Sequence, residues 1–106
     1  MKPGDIVLVR YPFTDFSSEK LRPALVLIPE DDEGDTLLAF ITSVLIKKNS
    51  FDLPIPKGTT GLRVDSILRL KKMMSVHRSL MLGRIGSVDS ALWKRIQENL
   101  RRMLEL

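Results

Sequence analysis

The sequence predicts a mainly β domain closed by one C-terminal helix. Short runs rich in β-branched and aromatic residues are separated by Pro, Gly and acidic turn signals, the pattern of strands in a small antiparallel fold. From Leu92 onward, apolar residues recur at helical spacing. The 106 residues show no linker, repeat or low-complexity stretch, so residues 1–106 are read as a single domain with a modest core.

Ile6-Val7-Leu8-Val9-Arg10-Tyr11 reads as the first strand. Residues 12–20 form a polar loop carrying Phe13 and Phe16. Exposed, these rings fit stacking on bases; packed, they fit closing the end of a small barrel. Arg22-Pro23 then opens the apolar run Ala24–Ile28. Pro23 disfavours a helical backbone at Arg22 and extends it, and Pro is tolerated at the first residue of a strand. Arg22 is therefore expected at the mouth of a central strand, its guanidinium available to a carboxylate or to a ligand.

Pro29–Asp35 is an acidic turn with Gly34 as its flexible point. Leu37–Ile41 is the next strand and ends at Thr42-Ser43. Two strands joined by this turn run antiparallel, so the start of one and the end of the other share a sheet edge. That geometry brings Arg22 toward Thr42 and Ser43 across twenty residues of sequence.

Lys47-Lys48-Asn49 is basic and polar, and Phe51–Ile55 is a short strand interrupted by Pro54. After a turn-rich loop, Leu62–Leu70 starts with strand-like alternation, which puts Arg63 and Asp65 on one face. Met73, Met74 and Val76 suggest more strand, Val76–Leu80 a helical turn, and Leu80–Arg84 a last strand. His77 lies among polar residues and reads as a surface side chain. Ser87 or Asp89 suits the cap of the final helix. Leu92, Trp93, Ile96, Leu100, Met103 and Leu104 make its apolar stripe, with most of the basic residues off it.

Composition excludes several chemistries. The chain has no cysteine and one histidine, so disulfides, thiolate metal sites and a pair of histidines within one subunit are ruled out. No apolar run approaches membrane-spanning length, and the N-terminus is not a signal peptide; a cytoplasmic protein with no membrane partner is expected. The net charge is +4. Five of the thirteen acidic residues sit between Glu30 and Asp35, which leaves seventeen basic against eight acidic side chains elsewhere. That segregation suits one face to a polyanion.

Gly4-Asp5-Ile6-Val7-Leu8-Val9, Pro12-Phe13-Thr14-Asp15, Arg22-Pro23-Ala24-Leu25-Val26-Leu27, Thr42-Ser43, Gly61-Leu62-Arg63-Val64-Asp65-Ser66 and Ile85-Gly86 together resemble the MazF/PemK family of toxin endoribonucleases. They occur in family order over nearly the whole chain. The resemblance implies an SH3-like, partly open antiparallel barrel with a C-terminal helix, acting as a homodimer. It implies cleavage of single-stranded RNA without a metal or other cofactor, and a cognate antitoxin protein as partner. By position, Arg22 and Thr42 match the family's catalytic residues, and Arg63 and Asp65 match an Arg-x-Asp pair implicated in cleavage. Ser43, Arg63, Phe13, Asp15, Lys47 and Lys48 are expected to bind substrate. The loop departs from the best-known members in lacking a glycine shortly before Arg-Pro; Leu21 precedes Arg22, so base preference is not carried over.

Such cleavage uses the RNA 2′-OH as nucleophile and yields a 2′,3′-cyclic phosphate and a 5′-OH; DNA lacks that hydroxyl. Arg22 suits the charge on the phosphorane, because its planar fork matches phosphate geometry. An arginine is not a base. Asp65 is the leading candidate for the proton acceptor, with Glu19, Asp15 and His77 behind it. Two competing functions are a toxin of this fold that clamps a protein target such as gyrase, and a basic SH3-like module that binds nucleic acid without cutting it.

Overall fold

A computed structural model describes residues 1–11 and 20–106. Among these residues six strands form one antiparallel sheet: β1 (Asp5–Tyr11), β2 (Lys20–Ile28), β3 (Asp35–Thr42), β4 (Leu53–Ile55), β5 (Ser66–His77) and β6 (Met81–Ser87). Their spatial order is β4-β5-β3-β2-β1-β6. A 3-10 turn at Arg78–Leu80 joins β5 to β6, and helix α1 (Ser90–Leu104) ends the chain.

Both faces of the sheet bury apolar side chains, as the alternation within β1 requires. Ile6, Leu25, Ala39, Ile41, Leu68 and Leu70 pack with Leu92 and Ile96 of α1. Val7, Val9, Ala24, Val26, Leu38 and Val76 form a second, smaller cluster. Asp89 caps α1 by accepting from the Leu92 N–H at 2.8 Å, which settles the choice between Ser87 and Asp89.

The acidic turn is closed by Asp31, whose Oδ1 accepts the backbone N–H groups of Glu33 and Asp35 at 2.9 and 3.0 Å. Gly34 has φ +83°, a conformation glycine adopts without steric cost. The turn thus makes β2 and β3 the expected antiparallel hairpin, with Ala24 opposite Phe40.

Three expectations change. Arg22 is not at the mouth of β2 but in its third position, paired with Val9 of β1. The strand expected at Leu62–Leu70 starts only at Ser66 and continues to His77. Residues 61–65 instead make a turn held by local bonds: the Thr60 hydroxyl donates to the Pro56 carbonyl, and the Lys57 N–H donates to Asp65 Oδ1. Such side-chain bonds compete with ladder formation, so Arg63 and Asp65 do not share a strand face. Finally, the last strand runs from Met81 to Ser87 rather than from Leu80 to Arg84.

The turn at 60–61 is locked against β6. A Cβ on Gly61 would collide with the Ile85 carbonyl, and one on Gly86 with the Thr60 carbonyl. Two glycines therefore let two backbones meet, and the Arg63 segment that follows lines a cavity with Leu8 of β1 and Leu21 and Arg22 of β2.

Candidate active site

Pro23 shapes the site through the hydrogen bond it cannot donate. β2 pairs with β1 from Lys20 onward, but its pairing with β3 begins only at Ala24. Residues 20–23 thus present an open edge toward β3. Continuing the Ala24–Phe40 register sets Arg22 opposite Thr42, while Thr42 itself pairs with Ile67 of β5. The gap is a cavity of about 330 Å³ lined by Arg22, Phe40, Ile41, Thr42, Arg69 and Lys72.

Arg22 also lines an adjoining cavity of about 570 Å³ with Ser43, Arg63 and Ser66. Arg22, Ser43 and Arg63 are exposed, and Thr42 is half-buried. The Thr42 oxygen accepts the Val44 N–H at 3.2 Å. One lone pair is thereby occupied and the hydroxyl proton left to donate, which suits Thr42 to holding an anionic oxygen. Among the described residues no carboxylate lines either cavity; the polar side chains there are cations and hydroxyls.

The remaining expected residues fall elsewhere. Asp65 lines a third cavity with Leu45, Pro54, Pro56 and Arg95, and its Oδ1 accepts the Lys57 N–H at 3.0 Å. Lys47 and Lys48 are exposed and line none of the three. His77 pairs with Asp35 at the opposite end of β3 from Thr42, seven residues or roughly 24 Å away along the strand. It is an exposed surface residue bonded to Ser79. Phe13, Phe16, Asp15 and Glu19 lie outside the described residues.

Arg69 and Lys72 were not anticipated. In a regular strand, residues three apart face opposite ways. Here the β3–β5 register jumps from Ala39–Met73 to Phe40–Arg69. The bulge inserts residues 70–72 opposite no partner, and Arg69 and Lys72 line the same cavity. A bulge re-aims side chains in this way. One sequence signal was available: Asp52 sits within the apolar stretch Phe51–Ile55, and a buried acid needs a cation. No cluster of three or more His, Asp or Glu that could hold a metal ion occurs among the described residues. Nor is any helix there long and apolar enough to cross a membrane.

Comparison with known proteins agrees over the whole fold. The family model for PemK-like, MazF-like toxins of type II toxin–antitoxin systems matches residues 2–104. Endoribonuclease MazF6 of Mycobacterium tuberculosis is 25% identical over 92 residues, 82% of this chain and 81% of that protein. Among solved structures, M. tuberculosis toxin MazF-mt6 superposes with TM-score 0.77 at 17% identity, covering 96% of this chain and 97% of its own. The MazE–MazF structure from Deinococcus radiodurans gives TM-score 0.78 at 22% identity, covering 100% and 97%.

Proposed function

The chain belongs to the PemK-like, MazF-like toxins of type II toxin–antitoxin systems, and from that premise we propose that it is an endoribonuclease cutting single-stranded RNA at the Arg22–Thr42 cavity. The observation that carries this reading is the convergence of Arg22 and Thr42 in one cation-lined cavity. The endoribonuclease names of its relatives support it.

In this reading the 2′-OH gives up its proton and its oxygen attacks the adjacent phosphorus, while negative charge grows on the non-bridging oxygens. The P–O5′ bond breaks as the 5′-oxygen takes a proton from water and leaves as a hydroxyl. The Arg22 guanidinium binds the non-bridging oxygens with paired donors, and Thr42 donates its hydroxyl to the same group. Ser43 and Arg63 hold the strand along the adjoining cavity. Lys47 and Lys48 add attraction from outside it, a longer-range effect that salt screens. Phe13 and Asp15 are assigned to substrate binding on the family pattern. Asp65 is the proposed proton acceptor, because a carboxylate is a better base than an arginine or a threonine hydroxyl. It lines the third cavity and not the Arg22–Thr42 cavity, so the 2′-OH proton would reach it through water.

A cytoplasmic toxin of this kind works as a homodimer and is silenced by a cognate antitoxin. A relative solved "in complex with its cognate antitoxin" supports the second part.

Incubation with a long single-stranded RNA in EDTA should give discrete cuts with cyclic-phosphate and 5′-OH ends. Arg22→Ala and Thr42→Ala should each lower the rate by about 10²–10³-fold, the usual loss for one preorganised donor. Wild-type rates in both would remove the site assignment. An unaffected Asp65→Asn would remove Asp65 as base. Intact RNA with the wild-type protein would turn the reading toward a binder of protein or nucleic acid.

A further inference from the structure

Asp52 has no accessible surface, yet it carries a carboxylate. Its Oδ2 accepts the Lys48 N–H at 2.7 Å and stands 3.2 Å from Arg69 Nε. The second contact is electrostatic rather than an aligned hydrogen bond, since neither Asp52 Oδ1 nor Arg69 Nε has a hydrogen-bond partner among the described residues. The Arg69 side chain is 21% exposed, and its open part lines the cavity of Arg22 and Thr42. The carboxylate thus holds the guanidinium from behind, on its Nε side. The two terminal amino groups make no hydrogen bond among the described residues.

A guanidinium fixed at one edge and open at the other is suited to a bidentate anion. Lys72, exposed and brought to the same wall by the β5 bulge, adds a second cation. We propose that Arg69, aimed by the buried Asp52 and assisted by Lys72, binds the RNA phosphate next to the scissile one on the β5 side. This rests on the RNA-cleaving reading and gives the strand a path. Arg63 and Ser43 hold it on one side of Arg22–Thr42, and Arg69 and Lys72 hold it on the other. Arg69 makes the phosphate contact, and Asp52 is a positioning residue that acts through it.

Losing a contact made equally in the ground and transition states raises KM and leaves kcat alone. The variants are Lys72→Gln, which is exposed and safe for folding, and Arg69→Gln combined with Asp52→Asn, which neutralises the buried pair together. Melting curves confirm the fold of each. For cleavage of a fixed single-stranded transcript, each should raise KM with kcat within about twofold of wild type. Arg22→Ala should instead lower kcat. Asp52→Asn alone should raise KM less than the double variant.

Binding is read by fluorescence anisotropy with a labelled, uncleavable 2′-O-methyl RNA. Each lost phosphate contact should flatten the dependence of log K on log salt by about 0.7. Folded variants with wild-type KM and wild-type salt slope would overturn the assignment. If the wild-type protein bound but did not cut, and the slopes still flattened, the phosphate contact would stand and the nuclease reading would fall.

Discussion

Two aspartate–arginine pairs in this small fold share one contact distance and differ in how far the arginine is exposed and in what it faces. Asp5 Oδ1 lies 3.2 Å from Arg84 Nε, and Asp52 Oδ2 lies 3.2 Å from Arg69 Nε. Asp5 and Arg84 join β1 to β6, with an Arg84 side chain 51% exposed. Asp52 and Arg69 join the β3–β4 connection to β5, with an Arg69 side chain only 21% exposed. Asp5 also accepts the Lys2 N–H at 3.0 Å, which pins the N-terminus. Asp52 accepts the Lys48 N–H, which pins the basic loop ahead of β4. A half-exposed arginine that loses its partner can turn back to water. A mostly buried one cannot, and here it faces substrate space. The same pair of residues is therefore a clasp at one place and an aiming device at the other.

The largest effect that sharpens this contrast is expected from Asp52→Ala. Removing one partner of a buried pair leaves an uncompensated charge and costs roughly 3–5 kcal/mol. Chemical denaturation should show that loss, together with weakened RNA cleavage per folded molecule. Asp5→Ala should cost less, roughly 1–3 kcal/mol, with cleavage per folded molecule unchanged. Equal losses of cleavage in the two variants would break the distinction.

Acid separates Asp5 from other groups. Burial raises the pKa of Asp5, but the Lys2 N–H and the charges of Arg84 and Lys2 outweigh it and hold the carboxyl below its usual range. A depressed carboxylate adds stability that is fully present above its unfolded pKa, about 3.9. That stability is lost as pH falls through the lower folded value. Below about pH 4, Asp5→Asn should therefore flatten the fall in stability that the wild-type protein shows. A slope unchanged by the substitution would show that Asp5 contributes none of it.

The smallest expected effect concerns the outer support of the Asp52 loop. Arg102 lies 5.2 Å from the centre of the Phe51 ring and donates to the Ser50 carbonyl at 3.4 Å. Arg102→Ala should cost about 0.5–1 kcal/mol, as expected of an exposed cation–π contact, and leave cleavage intact. A fall in cleavage comparable to that of Asp52→Ala would mean that α1, not Asp52, sets the loop.

The sequence by itself determined most of the strands, the helix, and the meeting of Arg22 with Thr42. Those features rest on local physics. Alternation marks a half-buried strand, Asp31 and Gly34 close one turn, and a hairpin fixes which ends meet. Tertiary structure alone decided the rest. Gly61 and Gly86 allow two backbones to touch, and this contact, with the bonds of Thr60 and Asp65, delays β5 to Ser66 and parts Arg63 from Asp65. The bulge at residues 70–72 turns Lys72 to the wall that Arg69 lines. The buried Asp52 finds Arg69 seventeen positions away. Each depends on the approach of segments distant in sequence, where a one-residue change of register reverses a side chain's direction, and periodicity within one segment carries no record of that.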